Sequence, residues 1–400
     1  MQNVINWRLK FSFPTGSDLT EFYKRKDFLM KAVIDKATFI SGLYMPSKVS
    51  SNNSNIHQML SNIQLDFYED GRIVCKATDI SSSVISEING EVLEPGKVIV
   101  HGKVLYEQIY NMPNDKIQLS SDDSTLNIKC KGSEMNLNTM EDSDFVSVLM
   151  PDESEFKTFE STVFSELIQK TAYSVSNDDS KPHIMGIFLI FKDHIAKAVS
   201  TDGHKMSIAE YAYEGEFELP DGVILPKNGA MNFKTAIDSS GEILYMAHDP
   251  ENKIMAIKVG NLFLTSKLID SVFPPYEKVI PKYEDNKMVV PKAAFLQSLK
   301  RIYLLSGGSE AGVLFHLSKD NLKMEGINTA KGSIIEELEV DYQGDELDIS
   351  FNIKFLDSII NRVDGEEFIF KFGDSSKAGV VITPVDNTSF MAVLMPLKIL

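Results

Sequence analysis

The sequence has little of several things, and each shortage excludes a class of protein. Only two of the 400 residues are cysteine, Cys75 and Cys130. They form neither a C-x-x-C pair nor a disulfide framework, which fits free thiols in a reducing, cytoplasmic setting. No apolar run approaches the roughly 18 residues that a membrane span requires. The longest candidate, residues 184–191, reads as a buried strand. The basic residues near the N-terminus, Arg8, Lys10, Lys24, Arg25 and Lys26, are not followed by the apolar stretch of a secretory signal. There is no G-x-x-x-x-G-K-[ST] loop for a nucleotide, and no H-E-x-x-H helix or paired cysteines for zinc. Positive charge is also scarce. Forty Lys and Arg against 57 Asp and Glu leave a formal charge of −17, so on average the surface repels polyanions.

What the chain does contain is a long internal repeat. Three segments align: "LDFYEDGRIVCKATDISSSVISEI" from Leu65, "FLIFKDHIAKAVSTDGHKMSIAEY" from Phe188 and "VLFHLSKDNLKMEGINTAKGSIIEEL" from Val313. In each, an apolar strand meets a polar turn, a second strand alternates, and a threonine precedes a third strand. The turn acids Asp70, Asp193 and Asp320 lie 123 and 127 residues apart, and Thr78, Thr201 and Thr329 lie 123 and 128 apart. A later strand-to-helix step carries Lys103, Lys227 and Lys354, spaced by 124 and 127. Each unit opens with a helix-like stretch and closes in a hairpin, most clearly at Gly260-Asn261 between two alternating strands. A period of about 125 residues exceeds the 20–50 of solenoids. The expected fold class is therefore α+β, as three tandem similar domains: residues 30–154, 155–285 and 286–400. Residues 1–29, with the single tryptophan Trp7, lie outside the repeat, as an appendage or the product of a start upstream of Met30.

In "NIKFLDSIINRV" the residues Phe355, Leu356, Ile359, Ile360 and Val363 fall on one helical stripe, with Lys354 on the other side. In "PKAAFLQSLKRIYLL" the stripe is Phe295, Leu299, Ile302 and Tyr303, while Lys300 and Arg301 face away. Lys103, Lys170, Lys227, Lys234, Lys300, Arg301, Lys354 and Arg362 all fall in the six expected helices. Acids gather instead in turns and closing strands, such as residues 214–218 and 336–348. A single such lysine is ordinarily just solvated surface. Eight cations sorted onto helices in an acidic protein form a surface that can meet phosphates.

The stretches "STDGHKMSIAE" (residues 200–210), "FLTSKLIDSVFPPYEKVIP" (263–281), "EPGKVIVHGKVLYEQI" (94–109) and the terminal "VLMPLKIL" resemble the bacterial DNA polymerase III beta subunit family, the sliding clamps. The resemblance covers nearly the whole chain from Met30. It implies two subunits forming a closed ring of six similar domains, with helices inside and sheets outside. Such a ring encircles duplex DNA without sequence specificity and is not an enzyme. Its partners would be double-stranded DNA, a second copy of itself, the polymerase III catalytic subunit, the clamp loader, other polymerases and mismatch-repair proteins. The protein partners dock through Gln/Leu/Phe-type peptides; no membrane, metal or cofactor is implied.

Carried over residue by residue, the peptide pocket comprises Ile184, Thr201, Gly203, His204, Lys205 and Met206 from the second domain. Pro274, Lys278 and Val279 follow from the inter-domain segment, and Asn352, Phe355, Val393, Met395, Pro396 and Leu397 from the third domain. Met206, Val279, Val393 and Met395 are expected to form its apolar floor. Lys205 and Lys278 stand where the family often has arginine, which weakens forked hydrogen bonding. The resemblance also places Leu304 and Leu305 at a subunit boundary facing Met135 and Leu137. Where relatives often carry a DNA-contacting arginine after the first helix, this chain has the uncharged "SSNNSN", residues 50–55.

Two other readings compete. A metal-dependent hydrolase would use Asp202 and His204, with His183 or His194, but D-x-H is common by chance and the seven histidines are scattered. An acidic scaffold that binds proteins without DNA would suit the charge balance.

Overall fold

The computed structural model describes residues 30–50, 58–122, 124–140, 151–283, 286–306, 312–328, 330–373 and 379–398. The expectations for residues 1–29, for 51–55 and for Thr329 lie outside them. Six α-helices occur among the described residues: α1 (Lys36–Ser50), α2 (Gly102–Asn111), α3 (Ser161–Thr171), α4 (Lys227–Ser240), α5 (Lys292–Ser306) and α6 (Ile353–Ile360). They come in three side-by-side pairs, one pair to each repeat. Lys103, Lys227 and Lys354 sit at the first or second position of α2, α4 and α6.

The chain divides into two compact units, residues 1–77 with 86–146, and residues 78–85 with 147–400. In the first, an antiparallel sheet runs in the order Glu91–Glu94, Lys31–Asp35, Lys116–Ser121, Thr125–Cys130, Ser133–Asn138. Strands Arg72–Thr78, Asn62–Phe67 and Gly96–His101 pair in a second sheet. Cys75 and Cys130 are buried and unbridged. Burial pushes the Cys75 thiol far above its ordinary value, which removes it as a nucleophile.

The second unit holds the second and third repeats on one continuous nine-stranded antiparallel sheet. Strand Lys205–Ala212 pairs with Phe390–Leu394, so Lys205 lies opposite Leu394 and Met206 opposite Val393. Four strands from Lys157–Phe159 to Leu262–Lys267 complete the second repeat, with Gly260 at φ +56° in the expected two-residue turn. Four more, from Gly332–Glu339 to Leu347–Asn352, complete the third. Phe295, Leu299 and Ile302 of α5 meet Leu356, Ile359 and Ile360 of α6 in one core with Phe315, Phe351, Phe368 and Phe370. Tyr303 and Phe355, at the ends of the two expected stripes, are partly buried.

Lys170 is where the structure corrects the expectation of a basic helix face. On α3 it flanks the apolar stripe of Val163, Phe164, Leu167 and Ile168, and it is only 3% exposed. Its ammonium bonds the Arg362 carbonyl and the Asp364 carboxylate, and lies 5.7 Å from the Phe390 ring centroid. It therefore ties the second repeat to the third and offers no outward charge. Asp364 is half exposed in this pair, which makes the two partners unequal. Asp364→Ala should strand a buried ammonium at a cost of about 3 kcal/mol, whereas Lys170→Met leaves a carboxylate that water can reach and should cost less. Urea unfolding midpoints will order the two; a larger loss for Lys170→Met would contradict this reading.

Candidate peptide-docking site

The turn between Ile195–Thr201 and Lys205–Ala212 is built on Asp202. Its Oδ1 accepts the backbone N–H groups of His204 and Lys205, both at 2.9 Å. Thr201 Oγ1 donates to the Lys205 carbonyl at 2.9 Å and accepts the Gly203 N–H at 3.1 Å. Gly203 takes φ +89°, a value that favours glycine. The first repeat builds the same turn from the same groups. Asp79 Oδ1 accepts Ser81 N–H at 3.0 Å and Ser82 N–H at 2.6 Å, and Thr78 Oγ1 donates to the Ser82 carbonyl at 3.1 Å. Ile80 there adopts φ +74°. In the third repeat Asn328 does this work, its Oδ1 accepting from Ala330 and Lys331 at 3.0 Å each.

Asp202 is thus a turn-former, with its second oxygen committed to the Lys205 ammonium. His183 lies in the short turn Pro182–Ile184 and His194 in a hairpin at φ +61°. Among the described residues, no group of three or more His, Cys, Asp or Glu could hold a metal ion.

Around this turn the expected pocket residues separate into floor and rim. Ile184, Met206 and Val393 are 4–7% exposed and pack in one cluster with Phe273 and Tyr276. Val279 and Met395, expected in the floor, are instead 65% and 46% exposed. Val279 ends a short helical turn, Tyr276–Val279, whose inward residue is Tyr276, so Val279 and the exposed Lys278 form a rim. Pro274 is half-buried beside them. The C-terminal stretch is held against the turn, since Met395 N–H donates to the His204 carbonyl at 2.9 Å. Leu397 N–H donates to the Ser350 carbonyl at 2.7 Å, leaving the Leu397 side chain partly exposed next to the half-buried Pro396.

Phe355 closes the wall. Its ring lies 6.4 Å from His204 at an interplanar angle of 24°, and the Lys205 ammonium sits 4.4 Å from its centroid. Lys205 is only 8% exposed, so it is a buried wall residue. Asn352 Oδ1 accepts the N–H groups of Lys354 and Phe355 at 2.9 and 3.3 Å, capping α6 and so orienting Phe355.

Sequence reasoning missed Phe273, Tyr276, Ile224, Val199 and Val381 in the cluster, and Phe188 packed against it. The aromatic pair flanking Pro274-Pro275 was the available signal. A cleft of about 370 Å³ borders the cluster at Phe188, Ile224 and Phe273. None of residues 201–206 or 393–397 lines it, so it is not the expected slot.

The remaining helix cations are unequal. Lys103, Lys300 and Lys354 are exposed, Lys354 with its ammonium 6.0 Å from the Tyr303 ring centroid. Lys227 is half-buried. Lys234 pairs with Asp238 and Arg301 with Glu336. Arg362, expected within a helix, falls two residues past the end of α6; it lies over Tyr173 at 4.6 Å and donates to the Gln169 carbonyl at 3.3 Å, which consumes much of its reach. Leu304 is 68% exposed on α5 and Leu305 half-buried. Met135 and Leu137 are half-buried on Ser133–Asn138, the last strand of its sheet.

Three sequence models of the DNA polymerase III beta subunit match in order: the N-terminal domain over residues 30–149, the central domain over 158–275 and the C-terminal domain over 277–398. The beta sliding clamp of Caulobacter vibrioides is 28% identical over 378 residues, covering 92% of this chain and 100% of the relative. That of Rickettsia felis is 28% identical over 395 residues, covering 93% and 100%. The crystal structure of the Caulobacter crescentus beta sliding clamp superposes with a TM-score of 0.84 at 26% identity, covering 93% of this chain and all of the other. With matches spanning all three repeats, the chain belongs to the DNA polymerase III beta subunit family.

Proposed function

We propose that this protein is a DNA sliding clamp, a non-catalytic processivity factor whose two subunits close head to tail into a ring around duplex DNA. The observation that carries the reading is the unbroken order of three beta-subunit domains from residue 30 to 398, with a docking wall assembled where the second and third share a sheet. Two features support ring closure. Ser133–Asn138 ends a sheet in the first repeat and Gly332–Glu339 ends one in the third. Among the described residues, each of these end strands has one side without a strand partner, able to pair with another copy. Leu304 adds an exposed apolar side chain near the end of α5. A contact between the first repeat of one copy and the third of another, made twice, closes a two-fold ring.

Lys103, Lys300 and Lys354, on helices of the first and third repeats, meet phosphates and read no base edges. DNA binding is accordingly non-specific, weak and salt-dependent. The slot at residues 201–206 receives Gln/Leu/Phe-type peptides from the polymerase III catalytic subunit, the clamp loader, other polymerases and mismatch-repair proteins. Its chemistry suits them, with an apolar floor of Met206 and Val393 under a mixed rim. Among the described residues no helix is long and apolar enough to cross a membrane, and the two unbridged thiols fit the cytoplasm.

Changing Leu304 and Leu305 to Asp places two carboxylates at the proposed boundary and should yield folded monomers by light scattering. Leu304→Asp alone is the milder control, because Leu304 is already solvent-facing. Folded double variants that remain dimeric would contradict the assignment.

A further inference from the structure

The opening turn does more than shape the wall. We infer that Asp202 withholds the Lys205 ammonium from any bound peptide, so that this wall of the slot gives a peptide carboxylate no advantage over an uncharged side chain. The inference rests on the docking-site reading above and specifies the ligand class for that site.

Three observations converge on Lys205. Its ammonium is ion-paired to Asp202, in a pair whose side chains are 8% and 17% exposed. The same ammonium lies over the Phe355 ring, 4.4 Å from its centroid. The His204 ring stacks against that phenyl group, so an incoming peptide meets aromatic surface at this wall. The carboxylate is thereby divided: Oδ1 holds two backbone N–H groups of the turn and Oδ2 holds the cation. Neutralised within the wall, Lys205 contributes packing and no attraction for a peptide carboxylate. Lys278 is exposed on the rim and remains able to attract one.

The third repeat supplies an internal comparison. Asn328 Oδ1 holds the same two backbone N–H groups of its turn while Nδ2 donates to the Ser306 carbonyl at 2.8 Å, and the lysine three residues on, Lys331, is exposed. An amide at the turn position therefore keeps the backbone bonds beside a neighbouring lysine that is exposed. Asp202→Asn should do the same in the second repeat, preserving the turn while releasing Lys205.

The test uses a fluorescein-labelled Gln/Leu/Phe peptide in which each position in turn carries either Glu or Gln, with anisotropy giving the ratio of the two affinities. Lys278→Ala protein is the background, which removes the rim cation. There the ratio should stay near one at every position at low salt. Adding Asp202→Asn should raise it about tenfold in favour of Glu for at least one position, with the preference shrinking as salt rises. A flat ratio in the folded double variant overturns the inference. A tenfold Glu preference already present in the Lys278→Ala protein, and lost on adding Lys205→Met, overturns it as well. That arm decides the matter even if the Asn variant does not fold. Failure of every Gln-form peptide to bind the unmodified protein would instead remove the docking site itself, and this inference with it.

Discussion

Deleting residues 395–400 should abolish binding of Gln/Leu/Phe peptides while the protein stays folded and dimeric. The deletion removes Met395, Pro396 and Leu397. Met395 and Leu397 are 46% and 37% exposed, so little core packing is lost. What disappears is the rim that Met395 makes beside His204, held by the bond from its N–H to the His204 carbonyl. Truncating an anchoring contact typically costs about 2 kcal/mol or more, which is over tenfold in affinity. Losing several together should carry binding below detection in fluorescence anisotropy. Met206→Glu strikes the floor of the same slot, but at 4% exposure it also puts a carboxylate into a packed cluster, so its effect counts only where melting shows a folded dimer. Unchanged peptide affinity in a folded, dimeric deletion variant would mean that the slot lies elsewhere.

The repeat was readable because its landmarks are local. Turn acids, the threonines before the third strand and the lysines at helix starts sit within single hairpins or strand-to-helix steps, where a few residues decide the backbone. Thr78-Asp79 and Thr201-Asp202 form the same turn with the same donors and acceptors. The third copy shows where local reading slips. Alignment on Thr329 put Ala330 in the place of Asp202, but the acceptor that holds that turn is Asn328. The strands pair Asn328 with Gly332 there and Thr201 with Met206 in the second repeat, so the third turn is one residue shorter.

Long-range partners were not readable. Lys170 looked like one more outward lysine on a helix, yet its burial is decided by Asp364, 194 residues away. Nothing in "TDGHKM" shows that Lys205 is buried or that Phe355 will lie under its ammonium. The shared sheet of the second and third repeats depends on Lys205–Ala212 meeting Phe390–Leu394. Each strand alone has the pattern of any half-buried strand. Val279 was assigned to the floor by carry-over, whereas the turn it ends directs Tyr276 inward. Most of these residues lie around the Asp202 turn, while their division into floor, wall and rim required the tertiary structure.

The central claim is that this protein holds DNA by encircling it, and retention on DNA of different topology tests that most directly. Most of the helix cations are buried or paired, and even the exposed Lys103 lies 3.9 Å from the Glu107 carboxylate, so contact through Lys103, Lys300 and Lys354 alone would be weak and lost in moderate salt. A closed ring, by contrast, stays on any DNA without ends, whatever the strength of those contacts. The protein is loaded with a clamp loader and ATP onto nicked circular DNA, washed in salt that strips non-topological binding, and the DNA is then cut once. The account predicts that nearly all of it co-elutes with the circle on gel filtration and nearly none with the linear product. Equal persistence on linear DNA with free ends, or equal loss from the circle, would contradict it.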